Sequence, residues 1–535
     1  MVILFLSVYF TATQFASAQQ QIPDAAVELV TYEKHSSFIK EFPIPLKERG
    51  LRGITTDAEG NAWFLHSTSK TSSIFRLEPE SGKFIQYPVT GETVADDPVI
   101  NIAAAQLVFD KKREAIWFTD ARVNSLGKLD KASGQLRLWE IPTKNAGPMG
   151  IVLSPDGKSI WFAEIIGNKI ARFDIQSERI LEFPTGENSG PALITFDEKG
   201  QLWVSLSSAD SIMLTQTGNN PVSNSSVGMV RIALPKPDSF SPLGIAISRG
   251  KVYVSDHGSS RVIIAEENSG LKSYDVYWTS PSSSVIPTTL PGQVVADMRG
   301  NIYFPQHGGN RISEIRAEDG MMTEYEIPAG PLSTVLFLTA SDDGRIWFTE
   351  WASNKVAYLD NSVQVPFEEQ ILQQSSVTLT RSGAASIGVL LKSSSDSSSS
   401  LSLSQVEVGL TGMTESGLMG VTYQASPPRV NLEQNASAES TIELRTQDNA
   451  KPGSYSTMVR AQAPEQDGLI VSRLYPVKLV LDVPQPATYT GESGSNSEIS
   501  SPFAIQVVRV LAIAAVIGLV GFIVYKRVKK KPIQS

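Results

Sequence analysis

The sequence predicts an all-β protein: a seven-bladed β-propeller, then an immunoglobulin-like β-sandwich, then one C-terminal transmembrane helix. Three observations carry that expectation. A four-strand phrase recurs seven times between residues 50 and 360. From Val377 to Val483 the text changes to alternating, serine-rich strands. An unbroken apolar run then extends from Val510 to Tyr525, with a basic cluster directly behind it.

The repeat is clearest at Gly147-Pro148-Met149-Gly150-Ile151, Asp156-Gly157, Trp161-Phe162-Ala163-Glu164 and Asn168-Lys169-Ile170, closed by Ile180-Leu181-Glu182-Phe183-Pro184. Other copies centre on Trp63-Phe64, Trp117-Phe118, Trp203-Val204, Tyr253-Val254, Tyr303-Phe304 and Trp347-Phe348, at intervals of 42–54 residues. Four short strands at such a period mark propeller blades. Helical repeats would need a 3.6-residue period over ten or more positions, and none is present. The Asp-Gly pairs supply positive-φ residues for the first hairpin of a blade. Phe38 to Pro45 reads as a spare fourth strand ahead of the first blade, so it is expected to pair into blade seven and leave no open edge. Residues Asn219 to Gly228 read as an extra loop in blade four.

The expected domains are therefore a signal segment (1–18), the ring (38–365), the sandwich (375–483), a flexible stalk rich in Pro, Gly, Ser and Thr (484–502), a transmembrane helix (503–525) and a basic cytoplasmic tail (526–535). The apolar run Val2–Phe10 followed by Ala16-Ser17-Ala18 has the pattern of an export signal. Phe503 to Tyr525 is long enough to cross the hydrocarbon if Arg509 snorkels, and Lys526-Arg527-Val528-Lys529-Lys530-Lys531 should stay inside. This places residues 19–500 outside the cell. Ser393 to Ser402 reads as a polar loop, and Asn224 and Asn435 stand in glycosylation sequons. There is no cysteine, so neither disulfides nor thiolate metal sites contribute.

The net charge is −9. Subtracting the six basic residues beyond Phe503 leaves −15 on the segment ahead of the anchor, because residues 1–18 carry no charge. Such a surface repels phosphate backbones, which excludes nucleic acid as a partner. It leaves cations, cationic substrates or neutral ligands.

In a propeller, the end of each second strand and the start of each first strand fall on one face, near the central channel. The residue closing the Trp-Phe phrase therefore recurs around that mouth, as His66, Asp120, Glu164, Leu206, Asp256, Gln306 and Glu350. Four carboxylates on one ring offer oxygen ligands to magnesium or calcium, with Glu164 and Glu350 as ligands and Asp120 or Asp256 nearby. Mutual repulsion of the carboxylates would also raise some of their pKa values. Asp120, Asp256, His257, Gln306 and His307 are candidate ligand contacts, and His66 is the candidate base. The alternative use of these side chains is to cap strand ends and bond loop amides. His35 reads as a solvated linker residue.

The phrase Gly-Pro-x-Gly-Ile, Asp-Gly, Trp-Phe-Thr/Ala-Glu, Asn-Lys-Ile, Glu-Phe-Pro resembles the streptogramin B lyases (virginiamycin B lyase) over about residues 38–360. The resemblance implies a seven-bladed ring in which a magnesium ion and a catalytic histidine open a depsipeptide by elimination. It makes Glu350 the counterpart of a metal-binding glutamate. The family's histidine stands in a Pro-His-Gly version of the first-strand phrase. Here that position holds Met149, Ala192, Leu243 or Gly292, and Val335 to Leu338 contain no histidine.

Two readings follow. One is a surface-anchored, lyase-like propeller binding a small molecule, peptide or glycan at its mouth, with metal-assisted elimination as its chemistry. The other is a non-enzymatic cell-surface interaction or scaffold module, which the sandwich, stalk and anchor favour because a soluble antibiotic-modifying enzyme needs none of them.

Overall fold

A computed structural model of the chain describes residues 34–68, 70–91, 106–216, 228–234, 241–269, 274–280, 288–330, 333–372, 376–393, 405–412, 420–433 and 435–482. The export signal, stalk, apolar run, basic tail, Asn224, most of the blade-four loop and most of the Ser393–Ser402 loop lie outside them. Among the described residues no helix is long and apolar enough to cross a membrane.

Seven antiparallel four-stranded units follow one another from Leu51 to Leu359. Their inner strands are Leu51–Thr56, Leu107–Asp110, Pro148–Leu153, Pro191–Phe196, Pro242–Ser248, Val295–Ala296 and Val335–Ala340. Each packs against the next, and the seventh packs against the first, so the ring is closed. Closure is completed by Ile39–Pro43, which pairs antiparallel with Lys355–Leu359 and supplies the fourth strand of blade seven, as expected. No blade is left with an open edge at the join.

The second strand of each blade is buried on both faces because it lies between neighbouring blades. Trp63, Trp117, Trp203 and Trp347 are accordingly no more than 1 % exposed. A buried indole N–H needs an acceptor. Asp57 and Asp197 provide it, accepting from Trp63 Nε1 at 2.8 Å and Trp203 Nε1 at 2.9 Å. The same aspartates accept the amides of the following turn, which ends on Gly60 or Gly200 at positive φ. One Asp-x-x-Gly turn thus shapes the hairpin and satisfies the tryptophan.

After the ring the chain forms two further sheets. Phe367–Ile371, Ala384–Ser393, Ser437–Thr446 and Val421–Ser426 make one. The other contains Val406–Thr411, Gly453–Pro464 and Ile470–Asp482, flanked by Arg429–Val430 and, in parallel, Ser376–Thr380. The sequence places a domain boundary between residues 365 and 375, but hydrogen bonding runs across it. Met322–Glu326, the outer strand of blade six, pairs with Ile470–Asp482, with Tyr325 opposite Val471 and Met322 opposite Leu474. Blade six and the second sheet are therefore one continuous sheet. A single apolar core joins Phe38, Tyr325 and Phe348 of the ring to Phe367, Ile442 and Leu479 of the two sheets. The outer strand of blade six, Met322–Glu326, has its first four residues buried because it is an interior strand of the continuous sheet.

Candidate ligand site at the channel face

The positions that close the second strands do fall on one face in equivalent register. Glu164 lies opposite Pro148, Leu206 opposite Pro191, Asp256 opposite Pro242, Gln306 opposite Pro291, Glu350 opposite Val335 and His66 opposite Leu51. Their side chains, however, run outward along their own blades rather than meeting at the channel. In blade three, Glu164 faces Lys169 of the third strand and Glu182 of the fourth, and the Lys169 ammonium bonds Glu182 at 2.7 Å. In blade seven, Glu350 faces Lys355 and Glu41, whose ion pair closes at 2.5 Å, and accepts Ser353 Oγ at 2.5 Å. In blade six, Gln306 donates to Glu324 at 2.6 Å and Ser313 at 2.8 Å. In blade five, Asp256 pairs with Arg261 at 3.0 Å. Asp120 accepts the Arg122 amide and lies beside the Arg122 and Arg52 guanidinium groups. Leu206 is fully buried.

Burial has the electrostatic consequence expected for such carboxyls. The Glu164 carboxyl is pushed up to about 8 by burial and then by Glu182. Burial, with Glu41 next to it, raises Glu350 well above the carboxylate range. Burial likewise raises Asp120, against the pull of Arg122. The magnesium that the resemblance implies does not fit this donor set. The ammonium of Lys355 already occupies the carboxylate partner of Glu350, and Glu164 and Glu350 are held in separate blades. Among the described residues, no three His, Asp or Glu side chains are grouped to hold a metal ion.

On the side of blades three, four, five and seven the channel lining is apolar. Met149, Ala192, Leu193, Leu243 and Phe337, from the first strands of blades three, four, five and seven, form one buried cluster with Ala121. Ile165 and Leu336 pack against it. Gln106 of blade two donates across the ring to Gln293 of blade six at 2.8 Å, and the same Gln293 oxygen accepts the Leu338 amide. The glycine of the Pro-x-Gly phrase is explained by this crowding. A Cβ on Gly244 would stand 2.4 Å from the Gly292 carbonyl, so only glycine lets the inner strands approach. The position of the family's histidine is thus built into the plug, and in blade one it is Arg52, which the motif comparison passed over.

The histidines of the ring fall into two places. His257 and His307 pack edge to face, 5.8 Å between ring centres, at the turns of blades five and six. His257 Nδ1 bonds the Pro291 carbonyl at 3.1 Å and is therefore the protonated nitrogen. His307 keeps a little exposed area but its ring is enclosed, and burial followed by His257 pushes its pKa down to about 3. Its ordinary value of 6.5 returns on unfolding, so below pH 6.5 the unfolded chain binds a proton that the folded chain refuses. Stability contributed by neutral His307 is complete above pH 6.5 and is lost as pH falls towards 3. His307→Gln should remove a slope on the order of 1 kcal/mol per pH unit between about pH 6 and 4.5. Denaturant unfolding of both proteins across that range checks it; parallel curves would show that the pair carries no such linkage.

His66 lies apart from them and lines a cavity of about 560 Å³ on the rim of blade one. The cavity is bounded by Leu46–Glu48 on one side and by the turn carrying Arg122 on the other. Nε2 of His66 bonds the Glu48 carbonyl at 2.9 Å, and burial together with Arg52 keeps the imidazole below its ordinary pKa. The ring rests against Gly50, where a Cβ would stand 2.8 Å from it. Sequence reasoning singled out His66 but missed Lys47, Lys70 and Arg122 around it. It also missed the positive-φ asparagines of the rim turns. Asn124 and Asn310 each take an amide and a carbonyl from the connection to the next blade. His35 donates its amide to Asp467 in the turn before Ile470–Asp482, so it is tied to the sheets rather than free as a linker.

The sequence matches the profile of the virginiamycin B lyase family over residues 37–329. A search of curated protein sequences found no match. Among solved structures, a streptogramin B lyase is 22 % identical over 60 % of this chain and 97 % of its own, with a TM-score of 0.50. The virginiamycin B lyase of Staphylococcus aureus is 21 % identical over 60 % of this chain and 98 % of its own, with a TM-score of 0.49. The extracellular domain of a hybrid two-component system from B. thetaiotaomicron covers 82 % of this chain and 56 % of its own length, at 14 % identity and a TM-score of 0.45. At these identities the solved structures speak to the fold alone. The family profile takes in more than half of the residues, and the chain belongs to the virginiamycin B lyase family.

Proposed function

We propose that this protein is a non-catalytic binding module built on the lyase ring, holding a small molecule, peptide or glycan at its channel face outside the cell. The observation that carries the reading is the filled channel. Met149, Leu193, Leu243 and Phe337 occupy its wall, and the family's histidine position holds no histidine in any described blade. An elimination needs a base at the proton it removes and an electrophile at the developing enolate. Apolar side chains supply neither, and Glu350 is committed to Glu41, Lys355 and Ser353. In this reading the two sheets behind the ring are an immunoglobulin-like platform, residues 484–502 a stalk, and residues 503–525 the single anchor.

The elimination reading has one observation in its favour. His66 is a neutral imidazole at the wall of a ligand-sized cavity, which is the state a general base requires. One preparation tests both points. Removing Val510–Lys531 should release a folded ectodomain into the medium, and that ectodomain should leave a streptogramin B intact with or without magnesium. Ring opening lost in His66→Ala would replace the binding reading with an enzymatic one. Retention of the truncated chain in the membrane fraction would overturn the anchor.

A further inference from the structure

We infer that the cavity beside His66 is a binding site for a small acidic carbohydrate, a hydroxyl-rich ligand bearing one carboxylate. This rests on the reading of the ring as a binding module and names what the module takes. The third and fourth strands of blade one leave this space open where those of blades three and seven do not. In blades three and seven, the rim carboxyl, a third-strand lysine and a fourth-strand glutamate fill the region: Glu164, Lys169, Glu182 and Glu350, Lys355, Glu41. In blade one the equivalent positions are His66, Ser73 and Gln86, by the same register. Gln86 Nε2 donates to Ser73 Oγ at 3.0 Å, a short neutral copy of the Lys169–Glu182 pair. The shorter side chains leave the space open, and its size falls in the range of small-molecule pockets, roughly 300–1,000 Å³.

The charge around the space is opposite to that of the chain. Lys47, Lys70 and Arg122 line it against a single lining carboxylate, Glu48, in a segment that sums to −15 as a whole. Concentrating cations in one recess of an acidic surface focuses the field on an anion. Arg122 is 4 % exposed, and its guanidinium is fixed by the Val89 carbonyl at 3.2 Å, so it is already ordered before a ligand arrives. Beside these cations the wall offers the hydroxyl of Ser73 and the amide of Gln86, and no aromatic side chain other than His66. Such a lining suits a polar body with several hydroxyls rather than an apolar one.

The test uses the full chain in detergent and calorimetric titration with three probes: glucuronate, glucose and inorganic phosphate. Glucuronate should bind saturably, with glucose weaker by about ten-fold or more, the loss of one charge-assisted hydrogen bond. The double variant Lys47→Ala/Lys70→Ala changes two exposed side chains and should weaken glucuronate by a similar factor. Ser73→Lys/Gln86→Glu should rebuild the blade-three pair inside the cavity and abolish binding while the ring still melts cooperatively. Equal binding of glucose and glucuronate would overturn the assignment. So would phosphate binding as tightly as glucuronate, or unaltered affinity in Ser73→Lys/Gln86→Glu. The same preparations assayed for streptogramin opening keep the two claims apart. Turnover would end the non-catalytic reading without touching this site, whereas absent glucuronate binding would end this site alone.

Discussion

Deleting Phe38–Pro45 is expected to unfold the ring. The segment is the fourth strand of blade seven, and it is the only contact that closes the first blade onto the last through backbone hydrogen bonds among the described residues. Phe38, Ile39, Phe42 and Ile44 are all buried, Phe38 to 1 % exposure. At about 1.5–3 kcal/mol for each buried apolar side chain, their loss costs roughly 6–12 kcal/mol, which is as large as the whole stability of a typical domain, about 5–15 kcal/mol. The deletion also bares the Lys355–Leu359 edge and strands Lys355 without Glu41. Phe38→Ala alone should cost about 3–5 kcal/mol. A deletion of the same length within residues 219–226, which takes nothing from the strands described above, is the control. Thermal unfolding followed by tryptophan fluorescence compares the two, and equal losses of melting temperature would refute closure by this strand.

The ring was legible because its determinants are local and repeated. An aromatic-led strand between two turns announces itself seven times, and the spare Phe38–Pro45 strand betrays the closure. The junction was not legible. Whether Met322–Glu326 ends a blade or continues into another sheet depends on a partner nearly 150 residues later, and no local pattern encodes that pairing. The site was half legible. Register correctly put His66, Asp120, Glu164, Asp256, Gln306 and Glu350 on one face. It did not reveal that Asp256, Gln306 and Glu350 turn to Arg261, Glu324 and Glu41 of their own blades, or that Glu164 lies beside the Lys169–Glu182 ion pair. A column of carboxylates next to a column of lysines on the third strands was the available signal, since Asn168-Lys169 and Asn354-Lys355 recur in the phrase itself. The departure from that column at Ser73 and Gln86, which opens the cavity, was equally readable once the third strands were aligned.

The second large effect is expected at the seam between the ring and the following sheets, where Ser472→Pro should melt both together. Ser472 lies opposite Glu324 of blade six on one side and Gln462 on the other, so it is an interior strand residue of the continuous sheet. Proline removes its ladder N–H, which is why it is confined to edge strands and bulges, and leaves the facing carbonyl unpaired at a cost of about 1–3 kcal/mol. The seam is wider than this one ladder. Gly412 lies against the Trp278 ring of blade five, Thr411 donates to the Thr279 carbonyl at 3.1 Å, and Glu465 accepts the amide of Ser37 just ahead of the closing strand. Glu369, only 3 % exposed, is held near Arg473 inside the same seam, and burial raises its carboxyl well above the usual range. Sheets attached at blade five, blade six and the closing strand act as a clasp on the ring, so their loss should be transmitted to it. All eight tryptophans lie between Trp63 and Trp351, so tryptophan fluorescence follows the ring and, through Trp278 against Gly412, its seam, while far-ultraviolet dichroism reports on every strand. In the wild type the two signals should change in one transition. In Ser472→Pro they should shift downward together, although the substitution is not in the ring. A tryptophan transition that keeps its wild-type midpoint while the dichroism shifts would show that the sheets unfold independently, and the clasp would be refuted.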